Sequence, residues 1–219
     1  MVVGVPQDPS QLSYAHRLEP FAGRIEREET YEWIRFEGEV FDSADAGSCR
    51  FGESVFSSVS LDRTRLRRAR FDDTWWHTPR LVGVDAAEST WLDSTVTAGV
   101  WAGVEAHGAE FRRIVFHQCK LDSVNFRATD LRNVTFVDCL LRDVDFGQST
   151  LTDVTFPGTT LDRARFDRAV MSRVDLRDAA GLEIASGVEA LKGATISTTQ
   201  LFELAPALAR QAGITVKDH

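Results

Sequence analysis

Few residues in this 219-residue chain are of types that do chemistry, and none is spaced for it. Five histidines (His16, His77, His107, His117 and His219) could act as bases or metal ligands. No two of them have the His-Glu-x-x-His spacing that puts a pair of imidazoles on one helical face. Three cysteines, Cys49, Cys119 and Cys139, lack the paired spacing of a zinc site. The neighbours Asp72 and Asp73 have the makings of an acid–base pair, but aspartate recurs at so many similar positions that this pair is not singled out. There is no glycine-rich phosphate loop and no dinucleotide-binding turn. The expectation is a protein with no catalytic residues, no cofactor and no metal.

What the chain does have is a period of five. From Phe116 the large apolar residues follow as Leu121, Phe126, Leu131, Phe136, Leu141, Phe146, Leu151, Phe156, Leu161 and Phe166. Two positions before each stands a smaller residue, such as Cys119, Val124, Thr129, Val134, Cys139 or Val144. Neither a helix nor a plain strand has this period, so it marks a repeat solenoid. Residues two apart on an extended backbone share a face, and the next large residue must again point inward. The chain therefore bends at every repeat, making a flat-sided coil whose backbone groups pair with the coils above and below.

Phe and Leu alternate, so like residues recur every ten, and four sides per coil stack like on like. The expected core ladders are Phe116, Phe136 and Phe156; Phe126, Phe146 and Phe166; and Leu121, Leu141 and Leu161. Cys119 falls over Cys139. A disulfide between them is conceivable, but reduced core thiols in a cytoplasmic protein are the expectation.

The run NFRATDLRNVTFVDCLLRDVDFGQSTLTDVTF resembles the pentapeptide-repeat family, in which a small residue, a polar residue, Leu or Phe and two further polar residues recur. The resemblance covers roughly residues 34–179. It implies an all-β solenoid, a right-handed quadrilateral β-helix of about seven coils, with a C-terminal α-helical cap. Relatives among quinolone-, fluoroquinolone- and albicidin-resistance proteins bind DNA gyrase or topoisomerase IV by imitating duplex DNA, and several dimerise through the C-terminal cap.

The expected domains are an N-terminal cap over residues 1–33, the β-helix over 34–180, and a final partial coil, helix and tail over 181–219. The start, MVVGVPQDPS, does not read as a signal peptide, and no apolar run reaches the ~18 residues of a membrane span. Within the cap segment Ser10–Leu18 reads as a short helix, and Thr30–Phe36 as the strand entering the first coil, whose open end the segment covers. In the weaker early repeats Ala46, Ala86 and Ala106 share one side, and Trp76, Trp91 and Trp101 make up the missing core volume. At the other end Ser197 and Gln200 form a capping box and Gly213 stops the helix. Pro206 kinks or restarts it. Leu201, Leu204 and Leu208 form the stripe buried on the last coil, which leaves Phe202 for a twofold homodimer.

Duplex DNA carries a negative charge per ~1.7 Å, or about 20 over seven coils. Residues 36–178 hold 23 acidic and 18 basic residues, a net of −5. Opposite signs are interspersed, and the unbroken frame leaves no loops within the coil. The expected function is a scaffold for a protein partner, with a DNA-mimicking binder of type II topoisomerase as the alternative; no direct nucleic-acid or membrane contact is expected. The side bearing Val55, Trp75, Val115 and Val137 is expected to be the least charged. His77 and His117 point outward there, two coils apart, as surface residues and not a metal pair. The candidate interface residues are Trp75, His77, Val115 and Phe202.

Overall fold

The structure is a computed structural model that describes residues 8–217. Three sides of the coil are ladders of short parallel strands in which each residue pairs with the one twenty positions on. The first runs from Tyr31 through Phe51, Phe71, Trp91, Phe111, Leu131 and Leu151 to Met171. The second carries Phe36, Phe56, Trp76, Val96, Phe116 and Phe136. The third carries Phe41, Leu61, Leu81, Trp101, Leu121, Leu141 and Leu161. Single bridges, from Asp45 with Arg65 to Asp145 with Arg165, hold the fourth. Four sides of five residues account for this register. The ladder from Tyr31 to Met171 has eight members, so the solenoid makes about eight turns and not the expected seven.

The bend between sides has one cause. Every fifth residue from Glu28 to Arg173 has a positive φ, and only Gly38, Gly83, Gly103, Gly108 and Gly158 among them are glycine. A left-handed conformation costs an L-residue about 1–2 kcal/mol. Stacking offsets that cost, because the corner N–H donates to the adjacent coil: Ser58 to the His77 carbonyl and Gln118 to that of Val137, each over 2.8 Å.

All large inward residues from Phe36 to Leu176 are buried. Phe136 stacks between Phe116 and Phe156 with ring centroids 5.0 and 5.2 Å apart. Phe146 lies between Phe126 and Phe166 at 5.4 and 5.3 Å. Ala46, Ala86 and Ala106 are buried on one side, with Trp76, Trp91 and Trp101 filling the width of the core. The small-to-large compensation keeps packing dense along the axis.

The N-terminal segment departs from expectation in two ways. Ser10–Leu18 is not one helix but two 3-10 turns, Pro9–Gln11 and Ala15–Arg17. The segment also has two jobs. Residues 8–18 form a strap that lies along a side of the solenoid, while Glu19 and Pro20 pair with Ile34 and Arg35, and Phe21 stacks on Phe36 at 4.6 Å to cover the open end. Thr30–Phe36 is likewise two strands on two sides, because Trp33 is a corner with φ 58°.

At the other end the register slips by one, Leu161 pairing with Leu182, and recovers where Val174 pairs with Ala194. Gly187 makes this possible: its φ is +82° and a Cβ there would lie 2.3 Å from the Phe166 carbonyl carbon. The helix Thr198–Gln211 starts with the Ser197–Gln200 capping box and runs through Pro206 without restarting. Gly213 ends it, with Ile214 N–H returning to the Ala209 carbonyl at 2.8 Å. The buried stripe is Gln200, Leu204 and Leu208, and Leu201 is 47% exposed, which corrects the expected stripe. The Gln200 side-chain amide donates to the Leu176 carbonyl at 2.7 Å, and this bond sets the rotation of the helix.

Candidate interaction surfaces

Alternation along the second ladder aims two columns of side chains away from the core. One runs Val55, Trp75, Thr95, Val115, Thr135 and Thr155, the other Ser57, His77, Thr97, His117, Val137 and Pro157. Both columns begin on charge, at Arg35 and Glu37, and the first meets Asp175 after Thr155, but from 55 to 157 neither holds an Asp, Glu, Lys or Arg. The same positions on the other three sides carry many charges, including Arg70 and Asp72, Asp122 and Arg142, and Arg65 and Arg67. His77 and Thr97 share a hydrogen bond of 3.0 Å, and Val115, His117 and Val137 are half-buried along the sheet.

Trp75 and Val55 are not open to an outside partner, which corrects the expectation of Trp75 as an interface residue. Both point away from the solenoid core, yet they are 2% and 0% exposed. The strap covers them: Tyr14 packs on Val55 and Trp75, with Leu12, Leu18 and Trp33 around them. The His77 ring lies parallel to that of Trp75 at 5.3 Å, at the edge of the covered area. From Thr95 upward the neutral side is uncovered by any described residue. Phe202 is 72% exposed beside Leu201 on the outer surface of the C-terminal helix.

On the charged sides many acids are paired with an arginine. Arg65 meets Asp45 at 2.7 Å and Arg68 meets Glu88 at 2.7 Å. Arg173 meets Asp153 at 2.5 Å, and Arg142 reaches Asp162 at 3.0 Å. Arg173 beside Asp153 holds that carboxyl below the usual range. Most such pairs join residues one coil apart, a relation visible in the sequence only once the number of sides is known. The strap contacts were missed altogether, because nothing in the repeat points from Tyr14 to Trp75.

The thiols are core groups. Cys49, Cys119 and Cys139 are buried and free, and each donates to a backbone carbonyl, those of Glu26, Val96 and Phe116, at 2.9, 3.3 and 3.4 Å. Burial pushes the Cys49 thiol pKa up. No group of His, Cys, Asp and Glu among the described residues is placed to hold a metal ion. No helix among them is long and apolar enough to cross a membrane.

Residues 109–182 match the family model described as a pentapeptide repeat region. Among solved structures, a trypsin-treated form of QnrB1, a plasmid-mediated fluoroquinolone resistance protein, is similar with a TM-score of 0.54 at 15% identity, covering 90% of this chain and 95% of its own. HetL, involved in heterocyst differentiation regulation in the cyanobacterium Nostoc sp. strain PCC 7120, is similar over 80% of this chain and 92% of its own, at 15% identity and a TM-score of 0.34. No curated protein matches the sequence. At such identities the likeness concerns the fold alone.

Proposed function

The chain belongs to the pentapeptide-repeat family, and from that premise we propose that it is a non-catalytic scaffold that holds a protein partner against its neutral side. One observation carries this reading. The two columns from Thr95 to Pro157 form a straight, half-buried, uncharged strip on a surface that is otherwise dense in charge. An interface core is depleted of charged residues in the same way. Neutral Thr, Val and His desolvate at far lower cost than the paired Arg and Asp around them. A photo-crosslinking residue placed at Val137, and separately at Arg142 on the adjacent charged side, tests the reading in cells. Crosslinks to a protein from position 137 and not from 142 support it; equal yields from the two positions exclude it.

A second reading is a DNA-mimicking binder of type II topoisomerase, favoured by the fold shared with QnrB1. The charge argues against it, since −5 over residues 36–178 is about a quarter of duplex density and many outward acids are paired with arginine. Titrating the protein into a gyrase supercoiling assay separates the two readings.

The scaffold is further proposed to be a twofold homodimer, because Phe202 and Leu201 lie exposed together on the outer surface of the terminal helix. Light scattering should give twice the 24.4 kDa chain mass for wild type and one chain for Phe202→Asp. A wild-type mass of one chain at micromolar concentration removes the dimer and leaves the scaffold standing.

A further inference from the structure

Arg63, Arg65, Arg67, Arg68 and Arg70 crowd one short stretch of sequence. The fold gathers three of them with Arg27 on the fourth side, across the solenoid from the neutral strip. Arg27, Gly47 and Arg67 hold the same position in three successive turns. Gly47 has no side chain, so a notch opens between two guanidinium groups. The groove there holds about 250 Å³ and is lined by Arg27, Arg65, Arg67 and Arg68 with Gly47 and Ser48. Asp45 is the one acid in its lining. Both Asp45 oxygens are engaged within the wall, Oδ1 by the Gly47 N–H at 3.0 Å and Oδ2 by Arg65 at 2.7 Å. Arg27 reaches Glu28 at 3.1 Å, and Arg67 and Arg68 share Glu88. Four guanidinium groups thus meet three carboxylates, and each is a fork of several N–H donors. The Ser48 hydroxyl bonds to no described residue.

Further up the same side the chain closes an equivalent notch by itself. A Cβ at Gly147 would lie 2.6 Å from Nη1 of Arg127, whose guanidinium reaches Asp145 at 3.1 Å. Asp167 stands there in the place of Arg67. At Gly47 the nearest Arg27 atom is Nε, 3.9 Å from the Cβ position, and the notch stays open. Positive charge is in excess beside it too. Arg50 lies directly opposite Arg70 in the ladder past the corner, and like charges so placed repel. Arg50 forms no ion pair among the described residues, and Arg70 comes only within 3.9 Å of Asp72.

We propose that this groove binds a phosphate monoester, seated over Gly47 between Arg27 and Arg67 with Arg65, Arg68 and the Ser48 hydroxyl around it. Arginine forks match the geometry of phosphate oxygens and donate paired N–H bonds to them. A doubly charged group answers the excess of guanidinium better than a carboxylate does. The patch is too short to track a nucleic-acid strand, because Asp85 and Glu105 follow Arg65 in the next two turns and Glu88 follows Arg68. The site does not depend on the scaffold reading. Its phosphate comes either from a phosphorylated protein side chain or from a free small molecule, and the two are separable.

The test is a calorimetric titration of the full-length protein, with the NMR shift of the Gly47 amide locating the ligand. The probes are N-acetyl-phosphoserine methylamide, inorganic phosphate and, as the singly charged control, N-acetyl-glutamate methylamide. Both phosphates should bind saturably and about tenfold or more tighter than the carboxylate, as charge-assisted bonds are gained. Arg27→Gln and Arg67→Gln should each weaken them by about tenfold, and Arg127→Gln, at the filled notch, should not. These arginines lie at the surface, so the variants should keep the fold, which a circular-dichroism melt checks. Glu88→Gln frees Arg67 and Arg68 and should tighten binding, a gain that damage to the fold does not produce. Tighter binding of the phosphoserine derivative assigns the site to a protein side chain, and tighter binding of inorganic phosphate assigns it to a small molecule. Phosphates no tighter than glutamate, an Arg67→Gln protein that binds like wild type, or a Glu88→Gln protein that binds no tighter overturn the proposal. So does a preference for a single-stranded oligonucleotide over either phosphate.

Discussion

The indole N–H of Trp91 donates to the hydroxyl of Ser89, two residues earlier, over 2.9 Å inside the buried core. Trp76 and Thr74 repeat the arrangement at 3.0 Å. The small inward position of the repeat thus has two uses: it leaves room for the ring, and it satisfies the ring's one donor. Trp101 has Gly99 at that place, and its N–H is left without a partner.

Ser89→Ala should therefore cost about 1–3 kcal/mol, the penalty of stranding a buried donor. Urea melts would show it as a lowered midpoint at unchanged slope. The converse concerns Gly99, where a Cβ would sit 3.1 Å from Pro79 Cγ and from Val96 Cγ1. Gly99→Ser should stabilise a Pro79→Ala background, where only Val96 Cγ1 must still shift by a few tenths of an ångström and Trp101 gains an acceptor. A double variant less stable than Pro79→Ala alone contradicts this account of the tryptophans.

Phe136→Ala removes the middle ring of a continuous stack, and large-to-small core changes of this kind cost about 3–5 kcal/mol. Arg142 lies between Asp122 and Asp162 on the surface, at 3.9 and 3.0 Å, and exposed pairs contribute about 0–1 kcal/mol. Denaturant midpoints of Phe136→Ala and Arg142→Ala should differ accordingly. Equal midpoints would mean that the stack adds nothing.

The cluster of Tyr14, Val55 and Trp75 is separate from the solenoid core. Tyr14→Asp places a charge in it and should lift the strap without melting the coil. Acrylamide should then quench additional tryptophan fluorescence while the main thermal transition stays cooperative. Loss of the whole β signal would show that the strap is part of the folding unit.

Asp73 ionises at a cost, its pKa raised above that of an ordinary carboxylate by burial and by Glu53, Asp93 and Asp72. For a raised carboxyl pKa the sign is clear: the penalty is full above the folded-state pKa and absent below the unfolded one, where the group is protonated in both states. Asp73→Asn should thus raise the melting temperature at pH 7, with the gain fading as pH falls through the carboxylate range. A gain that is constant with pH would assign the effect to packing.

The amino-acid sequence alone determined the solenoid and its ladders. Phe116, Phe136 and Phe156 are legible because one inward residue per five is imposed on every repeat, so a single local rule is written many times. Strand parity likewise told that Trp75 faces away from the core and that its side is the least charged. The tertiary structure decided what covers that side, because the contact of Tyr14 with Trp75 joins segments that share no period. It decided the corners too. Asp73, Arg113 and Ser58 adopt positive φ with none of glycine's freedom, since interlocking coils impose there what no local preference supplies. The outward turn of Leu201 has the same origin: periodicity defined a stripe, but the bond from Gln200 to the Leu176 carbonyl chose which face of the helix meets the last coil.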